Sequence, residues 1–312
     1  MKNIAVIGAG TMGHALAQVF AQGGYRVSLH DLSEEGLNRA KKLISANLDT
    51  LSKAGLFDVN EKDAIVGERI QFTTDLSEAV KTSDLVIEAV FENREVKKKL
   101  FSALDRLAPP GAILASNTSY MNIFEFVETD RPDKVIITHW FTPPHIVPLV
   151  EIVKGPQTSS ETVEAVKDVL DRLGKETIVL KKFLPGFIGN RLQAALSLEA
   201  YFLIDNGYAT PEDIDKATKA SFGLRTPILG LMKRSDFAGL DLVQQILKNR
   251  SYSPPAVRGK CDQVDKLVAQ GNLGVKTRKG FYDYGDKPVE DIVRERDLKL
   301  LKLLTLLKEM DE

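Results

Sequence analysis

The fold is decided by the N-terminal sequence KNIAVIGAGTMG, residues 2–13. Its β-rich apolar run, residues 4–7, predicts a short strand, and the helical pattern of residues 11–22 follows directly. Gly8, Gly10 and Gly13 have the spacing GxGxxG. The first glycine permits a tight turn, the second lets the backbone approach a pyrophosphate, and the third lets helix and strand pack closely. Following a strand and opening a helix, this spacing predicts a dinucleotide-binding βαβ unit; the alternative is a glycine-rich turn without a ligand.

Asp31 indicates which dinucleotide this unit would hold. It ends the second predicted strand, 18 residues after Gly13. A carboxylate in this place can accept both ribose hydroxyls of the adenosine and repels a 2′-phosphate. The next basic residue, Arg39, lies too far along the following helix to replace it. The sequence therefore favours NAD over NADP.

The alternation of short apolar runs with helical patterns continues to about residue 180. Strands are expected at residues 4–7, 27–29, 70–73, 85–89, 112–115, 135–138, 150–153 and 177–180, and helices at residues 11–22, 33–51, 96–107 and 160–173. This alternation is typical of βαβ units and a mainly parallel sheet. We expect an α/β protein: a Rossmann-type NAD-binding domain, residues 1–184, followed by an all-α domain.

Helices dominate after the KKFLPG segment, residues 181–186. The all-α domain is expected over residues 185–284, with a C-terminal helical extension at 285–312. Its first helix, residues 187–206, is apolar on nearly all sides, which is typical of a buried helix or an oligomer interface. In the extension, Leu300, Leu301, Leu304 and Leu307 share one helical face, which predicts either a packing helix or a cover over an active site.

Composition excludes several classes of function. Lys and Arg number 42 against 43 Asp and Glu, so no basic surplus exists for nucleic acid or an acidic membrane. The one cysteine, Cys261, cannot form an internal disulfide, which favours a reducing compartment and excludes cysteine-based metal clusters. We find no signal peptide and no apolar stretch of about 18 residues. We therefore expect a cytoplasmic protein without a metal site.

Two residues are the candidate catalytic pair. The chain has four histidines, His14, His30, His139 and His145. We expect His14 and His30 to be neighbours of the cofactor rather than catalysts. His139 follows a predicted strand, at the edge where open α/β sheets bind ligands. Glu151 lies twelve residues further on, in the apolar strand LVEIV. An unpaired buried carboxylate is costly, so Glu151 needs a partner, and a His–Glu pair makes a working base. The alternative is an ordinary buried histidine and a surface glutamate.

Six stretches together make the sequence similar to the L-3-hydroxyacyl-CoA dehydrogenase family over nearly its whole length. They are GAGTMG at 8–13, IEAVFENREVKKKLF at 87–101, ASNTS at 115–119, HWFTPPHIVPLVEIV at 139–153, PGFIGNRL at 185–192 and LGVKTRKGFYDY at 273–284. The resemblance implies NAD-dependent oxidation of a 3-hydroxyacyl-CoA, a role in fatty acid metabolism, and a homodimer.

The resemblance also implies roles for individual residues. His139 would be the base, Glu151 its partner, and Ser119 and Asn190 would contact the reacting oxygen of the substrate. The residues implied in cofactor binding are Gly8, Gly10, Thr11, Met12, Gly13, Asp31, Glu92, Lys97, Asn117, Ser119 and Lys276. Without the resemblance, the alternative for Glu92 and Lys97 is a solvated helix face.

Some positions depart from the family pattern. Thr142 stands where the family usually has asparagine, and only Lys53 remains in a stretch, residues 48–57, where CoA-using members tend to carry several lysines. The Pro143-Pro144-His145 segment and the C-terminal tail resemble the branch that acts on free hydroxy acids, of L-gulonate or L-carnitine type. Three alternatives stay open: a 3-hydroxyacyl-CoA dehydrogenase, the same chemistry on a free 3-hydroxy acid, and a non-catalytic NAD-binding structural protein.

Overall fold

The structure is a computed structural model that describes residues 1–249 and 252–311. Contacts along the chain divide it into two compact units, Met1–Arg191 and Leu192–Glu312. The division lies seven residues after the boundary expected at residue 184. None of the helices in the described residues is long and apolar enough to span a membrane.

The first unit contains one eight-stranded sheet. Its strands are β1 (Asn3–Ile7), β2 (Arg26–His30), β3 (Ile70–Thr73), β4 (Leu85–Glu88), β5 (Ile113–Ser116), β6 (Val135–Trp140), β7 (Leu149–Lys154) and β8 (Glu176–Leu180). The spatial order is β3-β2-β1-β4-β5-β6-β7-β8, and every pair is parallel except the antiparallel pair β6 and β7. The strand order reverses between β1 and β4, which places a ligand crevice at the carboxyl ends of these strands. The predicted Rossmann-type, mainly parallel sheet is confirmed.

Helices connect the strands of this sheet. They are α1 (Gly13–Gln22), α2 (Glu34–Lys53), α3 (Leu76–Val80), α4 (Arg94–Leu107) and α5 (Ser160–Arg172). Helix α2 is the longest of these. Its N-terminus is favourable, because the Ser33 hydroxyl accepts the Gly36 N–H and because Glu34 and Glu35 occupy the first turn. Strands β1 and β4 are buried almost throughout, which is why they are continuous apolar runs rather than alternating ones.

The antiparallel pair corrects one expectation about His139. Strand β6 continues to Trp140, so His139 lies inside the strand rather than after its end. In the antiparallel register, His139 stands directly opposite Glu151. Directly opposed residues project from the same face of a sheet with their Cβ atoms about 5 Å apart, within reach of a side-chain hydrogen bond.

The second unit is helical. Its helices are α6 (Gly189–Asp205), whose first residues belong to the first unit, α7 (Pro211–Ala220), α8 (Phe222–Ala238, interrupted at Gly230), α9 (Leu240–Asn249), α10 (Asp262–Ala269) and α11 (Val289–Asp311). The all-α C-terminal part of the prediction is confirmed. Among its described residues, only Cys261, Asp297 and Leu301 are fully buried. Its apolar side chains are therefore largely exposed or half-buried.

Candidate active site

The glycine-rich loop between β1 and α1 is shaped by close backbone contacts. Gly8 has a φ of 101°, and a Cβ atom there would lie 2.7 Å from the carbonyl oxygen of Ala89. A Cβ atom on Gly13 would lie 1.6 Å from the carbonyl oxygen of Gly8. Both contacts exclude a side chain, so these two glycines are required by the fold itself.

Gly10 differs from the other two glycines. A Cβ atom there would meet no atom within 4 Å. The open space lies beside a loop that leads into the N-terminus of α1, where free N–H groups and the helix dipole favour an anion. This loop therefore fits the pyrophosphate of a dinucleotide, as the glycine spacing predicts. His14, in the first turn of α1, donates from Nδ1 to the Gly10 carbonyl at 2.8 Å, and burial lowers its pKa.

Asp31 lies at the end of β2, beside this loop. Its carboxylate accepts the N–H of Ala9 at 2.8 Å and the N–H of Ser33 at 3.2 Å. A carboxylate has about four acceptor sites, so these two bonds leave capacity for ribose hydroxyls. A carboxylate at the end of the second strand fits the ribose hydroxyls of NAD better than the 2′-phosphate of NADP.

Two of the predicted cofactor ligands, Glu92 and Lys97, belong to an ionic cluster in which Lys97 is buried and Glu92 is 38% exposed. The Lys97 ammonium is only 1% exposed and contacts Glu88 at 2.6 Å and Glu92 at 3.1 Å. Glu88 is fully buried and also accepts the Ser116 hydroxyl at 2.6 Å. Removing one partner from such a pair leaves an uncompensated buried charge, which costs about 3–5 kcal/mol. Lys97 is therefore enclosed by protein rather than lying on a solvated helix face.

Glu92 connects this cluster to the turn that contains Ser119. Its Oε1 accepts the Thr118 hydroxyl, the N–H of Ser119 at 3.1 Å and the N–H of Tyr120 at 3.4 Å. Burial alone would raise the pKa of Glu92, but the bond from Thr118 and the charge of Lys97 hold it below its usual range. The ionised carboxylate thus fixes the backbone at Ser119.

The side chains of the candidate catalytic pair contact each other. His139 Nδ1 lies 2.7 Å from Glu151 Oε2, and both side chains are buried. Because an ionised carboxylate can only accept, Nδ1 carries the proton, and the neutral ring keeps its lone pair on Nε2. Asn190 lies on this second side, with its Nδ2 3.4 Å from Nε2. The structure thus brings His139, Glu151 and Asn190 together.

The segment before α6 completes the surroundings of Glu151. The N–H groups of Ile188 and Gly189 donate to Glu151 Oε1 at 2.9 and 3.0 Å. Burial alone would raise the pKa of Glu151, but the bonds from His139, Gly189 and Ile188 hold it below its usual range. Phe187 has a φ of 49°, a left-handed conformation that costs a non-glycine residue about 1–3 kcal/mol.

The remaining predicted residues have separate positions. Asn117 accepts the N–H of Trp140, the neighbour of His139, at 2.9 Å, so the turn of Ser119 is attached beside strand β6. Thr142 donates its hydroxyl to the sulfur of Met12 at 3.0 Å. Lys276 lies in a single helical turn of the second unit, Val275–Thr277.

Sequence reasoning missed part of this site. The missed residues are Glu88, Ser116, Thr118, Phe141, Phe187, Ile188 and Gly189. Glu88 carried a usable signal, because it is a lone carboxylate in an apolar strand, as Glu151 is. The backbone donors carried no signal, since every residue type except proline supplies an N–H group.

Comparison with known proteins adds two family matches and several full-length relatives. Residues 3–183 match the family model of the 3-hydroxyacyl-CoA dehydrogenase NAD-binding domain, and residues 186–284 match that of the C-terminal domain. The chain is 38% identical to the mitochondrial hydroxyacyl-coenzyme A dehydrogenase of Sus scrofa, with 91% of each chain covered.

Another relative covers almost the whole chain. The 5-formyl-3-hydroxy-2-methylpyridine 4-carboxylate 5-dehydrogenase of Mesorhizobium japonicum is 32% identical, with 99% of each chain covered. A crystal structure of an enzyme of that name, described as an NAD+-dependent dismutase, superposes with a TM-score of 0.87 at 30% identity and 99% coverage of each chain. These matches therefore include most of residues 285–312, which lie beyond the family models.

Gly10 and Gly13 should respond differently to alanine. Gly13→Ala forces a Cβ atom into the Gly8 carbonyl and should lower the free energy of unfolding by about 1–3 kcal/mol. Gly10→Ala meets open space, so it should leave unfolding unchanged and raise the Kd for NAD about tenfold, equivalent to about 1.4 kcal/mol. Denaturant unfolding and NAD titration measure both. A Gly10→Ala protein that binds NAD normally would contradict this division of roles.

Proposed function

Because the chain belongs to the 3-hydroxyacyl-CoA dehydrogenase family and is thus an NAD-dependent oxidoreductase, we propose that it oxidises the 3-hydroxyl of an L-3-hydroxyacyl-CoA. His139 is the base in this proposal, and Glu151 is its partner. The observation that carries it is the buried hydrogen bond of 2.7 Å, which leaves the lone pair of Nε2 on the side of Asn190. A base must present such a lone pair to the proton that it removes.

Each of these side chains has a role in the proposed reaction. His139 Nε2 takes the proton of the substrate hydroxyl, and the Glu151 carboxylate stabilises the imidazolium that forms. Bound NAD supplies the acceptor for the hydride that leaves C3 with its electron pair. The Asn190 amide, 3.4 Å from Nε2, and the Ser119 hydroxyl orient the reacting oxygen. In the reverse direction the imidazolium returns its proton to that oxygen.

The cofactor contacts other than the glycine loop are part of the same proposal. Asp31 would accept the adenosine ribose hydroxyls. Glu92, Lys97, Asn117 and Lys276 would contact NAD, as the family resemblance implies. For Lys97 the enclosed position between Glu88 and Glu92 supports an indirect role, in which its charge keeps Glu92 ionised and the Ser119 turn in place.

A free hydroxy acid is the second candidate substrate, because of the C-terminal extension. The relative from Mesorhizobium japonicum matches 99% of this chain, and its name describes a pyridine carboxylate without CoA. Lys53, exposed at the end of α2, is the only lysine in residues 48–57. A CoA phosphate would therefore find few cations in this stretch, whereas a small carboxylate does not need them.

We also propose that the chain forms a homodimer through its helical unit. No residue of helices α6 to α10 is fully buried. Large apolar side chains such as Leu192, Leu196, Leu224 and Ile246 are exposed on these helices. Monomers rarely expose apolar surface on this scale, and a second copy would cover it.

His139→Gln tests the proposed base. The glutamine side chain fills a similar space but cannot accept the proton, so kcat should fall about a thousandfold. The Kd for NAD should stay unchanged, because His139 lies outside the glycine-rich loop. Glu151→Gln should lower kcat less, since the imidazole remains. Turnover in His139→Gln close to that of the unchanged protein would remove His139 as the base.

The two candidate substrates can be compared by NADH formation. The assay uses 3-hydroxybutyryl-CoA against free 3-hydroxybutyrate, L-gulonate and L-carnitine. A preference for the thioester of about a thousandfold in kcat/KM, equivalent to about 4 kcal/mol, supports the CoA substrate and rejects the free acid. Lys53→Ala is the companion variant: it should raise KM for the thioester only. A reversed preference supports the free acid.

The dimer can be tested by light scattering. The mass should be twice the 34.5 kDa of one chain. Leu196→Lys, at a side chain 55% exposed in α6, should shift the protein towards the monomer. Val59→Lys, at a side chain 51% exposed in the first unit, is the matched control and should leave the mass unchanged. A monomeric mass for the unchanged protein at micromolar concentration would reject the proposal.

A further inference from the structure

The proposed reaction needs the imidazole of His139 in one fixed orientation. Its hydrogen bond to Glu151 restrains only the Nδ1 edge of the ring. We propose that Phe187 is a positioning residue that holds both members of the pair, the imidazole through its ring and the carboxylate through its backbone. The inference rests on the proposed function, since it explains how the base keeps its geometry.

The phenyl ring of Phe187 packs against the imidazole. The two ring centroids are 5.2 Å apart, with the planes tilted by 54°. Phe187 is fully buried in the apolar core, where Phe183 meets it edge-on at 5.8 Å. Because close-packed rings in a core do not change rotamer freely, the ring of Phe187 is a fixed surface for His139.

The backbone of Phe187 acts on Glu151. Gly186 and Phe187 are consecutive left-handed residues, with φ values of 77° and 49°. Consecutive unusual φ values turn the chain sharply, and the next two N–H groups, of Ile188 and Gly189, both donate to Glu151 Oε1. A bulky residue adopts this conformation only when its surroundings impose it. The buried ring supplies that constraint.

Gly189 extends the same arrangement to a second phenyl ring. The ring of Phe141 lies 4.6 Å from that of His139, measured between centroids. A Cβ atom on Gly189 would lie 2.5 Å from Cζ of Phe141. Glycine is therefore needed at 189 so that Phe141 can occupy its place beside the imidazole.

Phe187→Leu tests the proposal against Phe183→Leu, a matched change of the same residue type one ring further from His139. In Phe187→Leu we expect kcat to fall about tenfold to a hundredfold with KM for NAD unchanged, because small displacements of a base are costly. Phe183→Leu should keep kcat. Equal losses in both variants would overturn the proposal, since they would indicate general core packing.

An NMR measurement detects the hydrogen bond between His139 and Glu151 without requiring turnover. With histidines labelled by 15N, the Nδ1 proton of His139 should give a downfield resonance, assigned by its absence in His139→Gln; the chain has only four histidines. We expect this resonance to be lost in Phe187→Leu and kept in Phe183→Leu. Its retention in Phe187→Leu overturns the proposal. This measurement can be made even if no hydroxyacyl substrate is oxidised, so failure of the proposal can be distinguished from failure of the proposed function.

A double-mutant cycle decides the matter if Phe187→Leu fails to fold. Gly189→Ala should weaken the His139 resonance by pushing Phe141. In a Phe141→Leu background the shorter side chain leaves room for the new Cβ atom, so the same change should have a smaller effect. Equal effects of Gly189→Ala in both backgrounds would overturn the proposal that the segment 187–189 positions His139 and Glu151.

Discussion

The hydrogen bond between His139 and Glu151 depends on the antiparallel register of β6 and β7, and the rest of the site is arranged around it. The register places the two residues opposite each other in a buried part of the sheet. A buried carboxylate is tolerated there only because His139 and two backbone N–H groups satisfy it. The same bonds fix the histidine tautomer, so the structural requirement and the proposed chemistry coincide.

Carboxylates hold the loops at the carboxyl edge of the sheet in a common way. Asp31, Glu92 and Glu151 each accept two backbone N–H groups, of which at least one comes from another segment of the chain. The donors are Ala9 and Ser33 for Asp31, Ser119 and Tyr120 for Glu92, and Ile188 and Gly189 for Glu151. Bonds to an ionised acceptor are stronger than neutral ones. Each of these loops is thereby attached to an acidic residue in or near a strand. Asp31 follows β2, Glu92 lies between β4 and α4, and Glu151 lies within β7.

The two units use their apolar residues differently. The first unit encloses its strands and the inner faces of its helices. In the second unit, described residues such as Leu196 and Leu224 stay exposed. The C-terminal extension also leaves part of its apolar face exposed. Leu300 and Leu301 share the predicted face of this helix, but Leu301 is buried and Leu300 is 36% exposed. The apolar pattern of α6 predicted either burial or an interface. The exposure of Leu192 and Leu196 in this helix supports the dimer interface that we propose.

Local patterns were sufficient for the fold and for part of the site. The glycine spacing, the apolar runs and the lone carboxylate Glu151 are each readable within a few residues, because strand and helix periodicity are properties of the local backbone. The exact end of β6 was not readable, since pairing with β7 extends it to Trp140. Tertiary structure alone decided that Lys97 is enclosed by Glu88 and Glu92.

The sequence by itself thus determined the Rossmann-type domain, the helical domain and the identity of the candidate pair. Only the tertiary structure decided how that pair is held. Phe187 meets His139, and Gly189 meets Glu151 and Phe141, across separations of 38 to 48 residues, and no local periodicity encodes such meetings. Their contacts depend on side-chain packing and on N–H groups that every residue type except proline carries, so they emerge only when the chain is folded.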